Sequence, residues 1–239
     1  METDAAPGRN AGAIARAWLV HAVTALGPIF GFLALLAIFR RDWRTALAWL
    51  MVALVTDSFD GTLARLWRVK DVLPHYDGRM LDFVSDFLNF VFLPAVLLYQ
   101  AGLVEGRLGL VSVVLILLSS AYHFGNLKAV TADFHFRGFP AFWNMVVFYL
   151  LLLHLSPAWS FAIVVLFAVL HFVPVKVVYP TRVPRLRRLT LLLAVLWIAD
   201  AAALVYQFPA PEPVLLWLSL LILAYMAGLG LFLTWQDAA

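Results

Sequence analysis

The sequence predicts an all-α integral membrane protein with about eight transmembrane helices and with both termini in the cytoplasm. Of its 239 residues, 64% are apolar and only 13% are charged, whereas soluble domains average nearer half and a quarter. The apolar residues also fall into stretches of about the 20 residues that a membrane-spanning helix needs. Basic residues cluster in alternate loops, as described below. These observations exclude a single water-exposed globule.

Charged residues and Pro or Gly breaks divide the chain into eight apolar stretches. They cover residues 17–39, 45–64, 82–104, 108–127, 139–155, 157–175, 189–207 and 213–236. Residues 138–175 contain no Asp, Glu, Lys or Arg. This uncharged segment is too long for one span, so Ser156-Pro157 is predicted to be a tight turn between two helices. We find no internal repeat and no long linker, so residues 1–239 are expected to form one membrane domain.

The 17 basic residues indicate the orientation of the chain. If the N-terminus is cytoplasmic, thirteen of them lie on that side, and the other side keeps only Arg40, Arg41, Arg44 and Arg107. Because Lys and Arg are enriched in cytoplasmic loops, both termini are predicted to be cytoplasmic. The net charge of +3 therefore requires no nucleic acid as a partner. The absence of cysteine excludes disulfides, cysteine nucleophiles and thiolate metal sites.

Aspartates are concentrated at the cytoplasmic ends of the second and third predicted helices. Six of the 14 acidic residues fall in one segment: Asp57, Asp60, Asp71, Asp77, Asp82 and Asp86. The second helix must continue through Asp57 and Asp60, because the uncharged residues before them are too few to cross a hydrocarbon core of ~30 Å. Spacings of three and four place each helical pair on one face. Four carboxylates are therefore expected to share one cavity.

Four carboxylates at membrane depth require partners, and divalent cations would neutralise them. An oxygen-only ligand set favours Mg²⁺ or Mn²⁺ over Zn²⁺, particularly where substrate phosphates complete the coordination. Gly61 would allow a ligand to approach the backbone closely, and Arg65 could hold a phosphate. A solvated loop that merely ends two helices is the alternative interpretation. It is favoured for Asp71 and Asp77, but for the four helical aspartates it conflicts with the cost of insertion.

The spacing of these residues resembles a family signature. Asp57-x2-Asp60-Gly61-x2-Ala64-Arg65 followed by Gly78-x3-Asp82-x3-Asp86 is similar to the motif of the CDP-alcohol phosphotransferases. Most of that family has eight residues between the Arg and the second Gly, whereas Arg65 and Gly78 enclose twelve. The longer form resembles the bacterial phosphatidylcholine synthase branch, as do residues 136–140 and 143–149. The resemblance covers the chain from about Trp18 to the last helix.

This resemblance implies a reaction between CDP-diacylglycerol and choline that gives phosphatidylcholine and CMP. It implies a multi-pass protein of the bacterial inner membrane with its active site toward the cytoplasm. The expected cofactor is Mn²⁺ or Mg²⁺ in a two-metal site. The expected partners are the two substrates and membrane lipids, with no nucleic acid, and a homodimer stays open.

The resemblance also assigns roles to individual positions. Asp86 would be catalytic, because it would accept the proton of the attacking hydroxyl. The metal ligands would be Asp57, Asp60, Asp82 and Asp86. The contacts to CDP-diacylglycerol would be Asp57, Gly61, Ala64, Arg65 and Gly78.

Choline carries a quaternary ammonium, which aromatic faces bind well. The candidate contacts are Tyr122, Phe136, Trp143 and Asn144, although an interfacial aromatic belt would give the same pattern. Phe83 and Phe87 are interpreted as packing or lipid-facing residues.

Three further polar residues lie within predicted spans. His21 and Thr24 are interpreted as a packed polar pair rather than a nucleotide contact. Asp200 is expected to hydrogen-bond another helix.

Two other functions stay open. The acceptor could be serine, glycerol phosphate or inositol phosphate, and a phosphorylated acceptor would use basic residues such as Arg182, Arg185, Arg187 and Arg188. The chain could instead transport divalent cations. The nearly wholly apolar outward halves of the second and third helices disfavour transport, because a transit path needs polar residues across the membrane.

Overall fold

The computed structural model describes residues 10–126, 136–178 and 186–238, and these are helical apart from one short strand pair. The helices are α1 Ala11–Phe39, α2 Trp43–Leu66, α3 Val69–Val72, α4 Gly78–Asp86, α5 Leu93–Gln100, α6 Gly106–Gly125, α7 Trp143–Leu153, α8 Pro157–Leu170, α9 Arg187–Gln207 and α10 Pro213–Ala238. A π-helical segment, Phe87–Phe92, joins α4 to α5 into one continuous element. Strands β1 (Phe136–Arg137) and β2 (Lys176–Val177) pair antiparallel.

Six helices are long and apolar enough to cross a membrane by length and composition. They are α1, α2, the continuous element Gly78–Gln100, α6, α9 and α10. Helices α7 and α8 are apolar but shorter. Each of the eight predicted stretches therefore corresponds to a helix, and six of these have the length of a span. The protein is an all-helical, multi-pass membrane protein.

The predicted turn between α7 and α8 is confirmed. Helix α7 ends at His154, which has a left-handed backbone with φ of 46°, and α8 begins at Pro157 after Ser156. Proline suits the first turn of a helix because its missing N–H would lack an intrahelical partner there anyway. All residues from Val146 to Leu152 are buried, so α7 runs through the interior of the bundle.

The π-helical segment follows Asp86 directly and has a local cause. Pro94 has no backbone N–H, and its ring would clash with the carbonyl one turn earlier in a regular α-helix. The helix widens to a π turn just before Pro94, where the Leu93 N–H donates to the Leu88 carbonyl five residues back. Such single π turns relieve a strained helix and recur near functional sites.

Helix α1 packs closely against the element that carries Asp82 and Asp86. Gly27 and Gly31 are one turn apart, and a Cβ at Gly31 would lie 2.6 Å from Asn89 Oδ1. A Cβ at Gly27 would collide with Ser85 Oγ. Small residues at this spacing let two helix backbones approach each other in a membrane.

A buried polar group links α7, α9 and α10 away from the aspartate cluster. Trp197 Nε1 donates to Tyr149 Oη over 2.9 Å, and the hydroxyls of Tyr149 and Ser219 are hydrogen-bonded. Asp200 is buried in α9 one turn after Trp197, but neither of its carboxylate oxygens has a hydrogen-bond partner in the described residues, so the interhelical hydrogen bond expected for Asp200 is not seen. Polar residues in spans usually face other helices in this way, so this group stabilises the bundle.

Candidate metal centre

Carboxylates from α2 and α4 converge at one point. One carboxylate oxygen from each of Asp57, Asp82 and Asp86 lies within 4.8 Å of the other two. Helix α2 supplies Asp57 from its last turns, and α4 supplies Asp82 and Asp86 from one face. Three converging carboxylate oxygens suit a hard divalent cation. The structure thus brings together three of the four predicted metal ligands.

Nothing in the described part of the chain neutralises these three carboxylates. No Lys or Arg side chain there forms an ion pair with them, whereas Asp77 pairs with Arg79 at the surface over 3.9 Å. Asp86 Oδ1 is buried and has no hydrogen-bond partner. A buried carboxylate without a counter-charge is costly. The residues therefore fit a bound divalent cation, which would supply the missing charge.

Asp60, the fourth predicted ligand, is anchored to α1. Its side chain is 4% exposed, and Thr24 Oγ1 donates to Asp60 Oδ2 over 2.6 Å. Thr24 thus pairs with Asp60 and not with His21, which corrects the pairing expected from the sequence. The sequence indicates this contact only through the presence of a polar residue, Thr24, inside an apolar helix. Its partner could be found only from the packing of α1 on α2.

The start of α4 is fixed by a capping residue. Asp77 accepts hydrogen bonds from the backbone N–H groups of Arg79 and Met80, over 3.1 and 3.3 Å. This is the usual N-cap arrangement, which satisfies donors that the first turn leaves free. Asp71 lies exposed in the short helix α3. Both residues therefore behave as the solvated charges expected for this loop.

Arg65 is available for an anion. It is exposed near the end of α2, and its Nη2 donates to Thr62 Oγ1 over 3.0 Å. No carboxylate in the described residues forms an ion pair with it. A Cβ at Gly61 would lie 3.3 Å from Arg65 Nη1, the flexible end of that side chain. Gly61 and Arg65 thus leave an open surface beside Asp60. Ala64, which lies between them in the sequence, is partly buried.

The predicted choline contacts lie in different surroundings. Trp143 is 0% exposed, donates from Nε1 to Ser120 Oγ over 2.8 Å, and stacks on His171 with 5.8 Å between ring centroids. Tyr122 is half-exposed. Asn144 borders a cavity of about 20 Å³ and its Oδ1 has no partner. The side chain of Phe136 lies outside the described residues.

Three phenylalanines, from α4, the π-helical segment and α6, form a group. The ring of Phe124 lies 5.8 Å from that of Phe83 and 5.6 Å from that of Phe87, centroid to centroid, and is nearly perpendicular to both. Phe83 and Phe87 directly follow Asp82 and Asp86 in sequence. Phe83 is 48% exposed. The sequence alone indicates packing or lipid-facing roles for Phe83 and Phe87, because only the fold shows that Phe124 joins them.

Comparison with known proteins shows the family of this chain. The sequence model of CDP-alcohol phosphatidyltransferases matches residues 17–174. The chain is 40% identical to the phosphatidylcholine synthase of Pseudomonas aeruginosa, across 94% of this chain and 93% of that protein. It is 44% identical to the phosphatidylcholine synthase of Bradyrhizobium diazoefficiens, across 77% and 68% of the respective chains. The corresponding protein of Borreliella burgdorferi is 34% identical across 73% and 75%. The chain belongs to the CDP-alcohol phosphatidyltransferase family.

Proposed function

We propose that the protein transfers the phosphatidyl group from CDP-diacylglycerol to choline, giving phosphatidylcholine and CMP. The observation that carries the proposal is the convergence of Asp57, Asp82 and Asp86 in a chain that aligns with phosphatidylcholine synthases over most of its length. The choline oxygen forms a bond to the phosphorus that carries diacylglycerol. The bond from that phosphorus to the CMP oxygen breaks, and CMP leaves.

The metal ligands of this proposal are Asp57, Asp60, Asp82 and Asp86, holding two Mn²⁺ or Mg²⁺ ions. Bound divalent ions would withdraw charge from the diphosphate and from the leaving CMP. Asp86 accepts the proton of the choline hydroxyl, and its buried, unpartnered Oδ1 supports this assignment. Thr24 holds Asp60 in one orientation through their hydrogen bond.

The donor contacts of this proposal lie along α2 and at the start of α4. Arg65 binds the diphosphate through its exposed guanidinium, which can make two parallel hydrogen bonds to phosphate oxygens. Gly61 and Ala64 have small side chains, so the nucleotide can approach the backbone of α2 there. Gly78, the first residue of α4, is the donor contact of this proposal on that helix.

For the acceptor, aromatic side chains near Asp86 would hold the trimethylammonium group. The sequence candidates Tyr122, Phe136, Trp143 and Asn144 stay proposals. Because Trp143 is enclosed, it could contact choline only after its neighbours move. Phe83, Phe87 and Phe124 have a stronger claim, since two of them adjoin metal ligands in sequence and Phe83 leaves the group open on one side.

We further propose eight spans in a bacterial inner membrane, with both termini and the active site toward the cytoplasm. Helices α7 and α8, with 11 and 14 residues, are about 16 and 21 Å long, short of a core of ~30 Å. A buried helix such as α7 need not match the thickness of the lipid, because protein surrounds it. The distribution of basic residues supports the orientation. A homodimer remains open.

A transfer assay tests the function. Purified protein is given radiolabelled choline and CDP-diacylglycerol, with and without Mn²⁺, and we expect labelled lipid only with the metal. Asp71→Asn is the matched control, because it removes an exposed carboxylate from the same segment. No labelled lipid from the wild type, or preferential use of serine, glycerol phosphate or inositol phosphate, would overturn the assignment.

A further inference from the structure

His21 of α1 lies against the first residue of α4. A Cβ added at Gly78 would be 2.6 Å from His21 Cε1 and 3.1 Å from His21 Nδ1. The imidazole is held in a bundle interior, being only 6% exposed. Interiors are close-packed, so such an overlap can be removed only by shifting the ring or the helix. The ring therefore occupies the space that a side chain at position 78 would need.

Two aromatic rings hold the imidazole in this position. The centroid of His21 is 4.4 Å from that of Tyr76 and 5.9 Å from that of Trp18, and the Trp18 and Tyr76 centroids are 5.1 Å apart. Tyr76 is next to Asp77, which caps α4. The three rings thus attach the loop before α4 to α1. This attachment holds the capped start of α4 against α1, and Asp82 follows Gly78 by one turn.

His21 also carries a buried polar atom without a partner. Its Nε2 is inaccessible and makes no hydrogen bond within the protein. Leaving such a group unpaired costs about 1–3 kcal/mol, and an unpaired group in a native structure calls for an explanation. His21 lies one turn before Thr24, which binds Asp60, and it packs on Gly78. His21 therefore lies against α4, one turn along α1 from the hydrogen bond that joins α1 to Asp60 of α2.

We infer that His21 is a donor-site residue: when the exposed ring of Tyr76, 4.4 Å away, moves aside, His21 Nε2 hydrogen-bonds the CMP portion of CDP-diacylglycerol. The inference rests on the proposed function, because it takes its ligand from that reaction. The nucleotide offers hydroxyl, amino and carbonyl groups, and an imidazole nitrogen can pair with any of them in the appropriate tautomer. The same ring explains why residue 78 is glycine.

Donor binding without acceptor tests the hydrogen bond. CDP-diacylglycerol is titrated into purified protein with Mg²⁺ and without choline, and His21→Ala should weaken binding about tenfold. His21→Gln should recover much of this loss, because its amide reaches the position of Nε2, whereas His21→Asn should not. His75→Ala removes an exposed histidine from the neighbouring loop and should bind like the wild type. His21→Ala with unchanged donor affinity would refute the hydrogen bond.

A double variant tests the contact with Gly78. Gly78→Ala should lose most of its activity and should unfold at a clearly lower temperature. Gly228→Ala is the control, because a Cβ there meets no atom within 4 Å, and it should change activity and thermal stability little. Adding His21→Ala to Gly78→Ala should restore the stability and activity of His21→Ala alone, because the smaller side chain removes the overlap. A double variant as impaired as Gly78→Ala would show that glycine is needed there for another reason.

These outcomes are separable from the proposed function. A wild type that binds CDP-diacylglycerol but does not transfer to choline would overturn the acceptor assignment and leave the His21 binding result intact. Normal transfer by His21→Ala, with normal donor affinity, would overturn only the role of His21.

Discussion

The hydroxyl of Thr24 donates a 2.6 Å hydrogen bond to the carboxylate of Asp60 and so joins α1 to a predicted metal ligand on α2. Both side chains are buried, so water does not compete for this bond. Groups that orient a ligand in this way affect metal affinity nearly as strongly as the ligands themselves.

Replacing Thr24 should therefore impair the metal centre without removing a ligand. Thr24→Val keeps the shape of the side chain and loses the hydroxyl, and we expect a tenfold to roughly hundredfold fall in activity or in apparent Mn²⁺ affinity. Thr24→Ser keeps the hydroxyl and should stay near wild type. Metal titrations of the transfer rate distinguish the two variants. Equal loss in both would mean that the methyl group, and not the hydrogen bond, matters at this position.

The four aspartates should each be required for turnover. Asn at position 57, 60, 82 or 86 should lower the rate by about a hundredfold or more, since each change disturbs the proposed metal clamp. EDTA should abolish activity reversibly. Mn²⁺ should also raise the melting temperature of the wild type, because a ligand that binds only the folded state stabilises it. Near-normal rates in two of the Asn variants would contradict the four-carboxylate site.

The sequence predicted a helical multi-pass chain, and it predicted that carboxylates from α2 and α4 converge, because apolar length and residue spacing are local properties. Six of the eight predicted spans have the length of a span, and three of the four predicted carboxylates meet. The sequence did not predict the π-helical segment or the late start of α7 at Trp143. The contact of His21 with Gly78 and the group around Phe124 were also missed. These depend on which helices pack together, and no spacing within one helix encodes that. Trp143 shows this limit of the sequence: it was a predicted choline contact, but its side chain is enclosed in the fold.

The close approach of α1 to α4 gives a paired prediction. Gly27→Ala should destabilise the protein by about 1–3 kcal/mol, because its Cβ would overlap Ser85 Oγ. Ser85→Ala removes that oxygen, so the double variant should regain most of the lost thermal stability. A double variant no more stable than Gly27→Ala would place the clash elsewhere.

Arg65 should serve the donor and not the metal. Arg65→Lys keeps the charge but loses the two-pronged geometry, so it should weaken CDP-diacylglycerol binding about tenfold and leave apparent Mn²⁺ affinity nearly unchanged. Arg107→Lys, an exposed residue at the opposite end of the bundle, is the matched control. Weaker metal binding with normal donor binding would instead make Arg65 a structural charge.

Acceptor choice should depend on aromatic faces, because the nitrogen of choline has no hydrogen-bond donor. Choline should therefore react in preference to serine and glycerol 3-phosphate in direct competition. Phe124→Leu should raise the Michaelis constant for choline about tenfold while that for CDP-diacylglycerol stays constant, since cation–π attraction is lost and apolar volume is largely kept. The same change at Tyr122 tests the sequence candidate that is most open in the fold.

The neutral isostere 3,3-dimethylbutanol separates the effect of charge from that of shape. As a competitor it should bind Phe124→Leu and wild type alike. An equal loss of affinity for choline and the isostere would show that Phe124 acts through shape alone, and unchanged constants in both variants would remove these rings from the acceptor site.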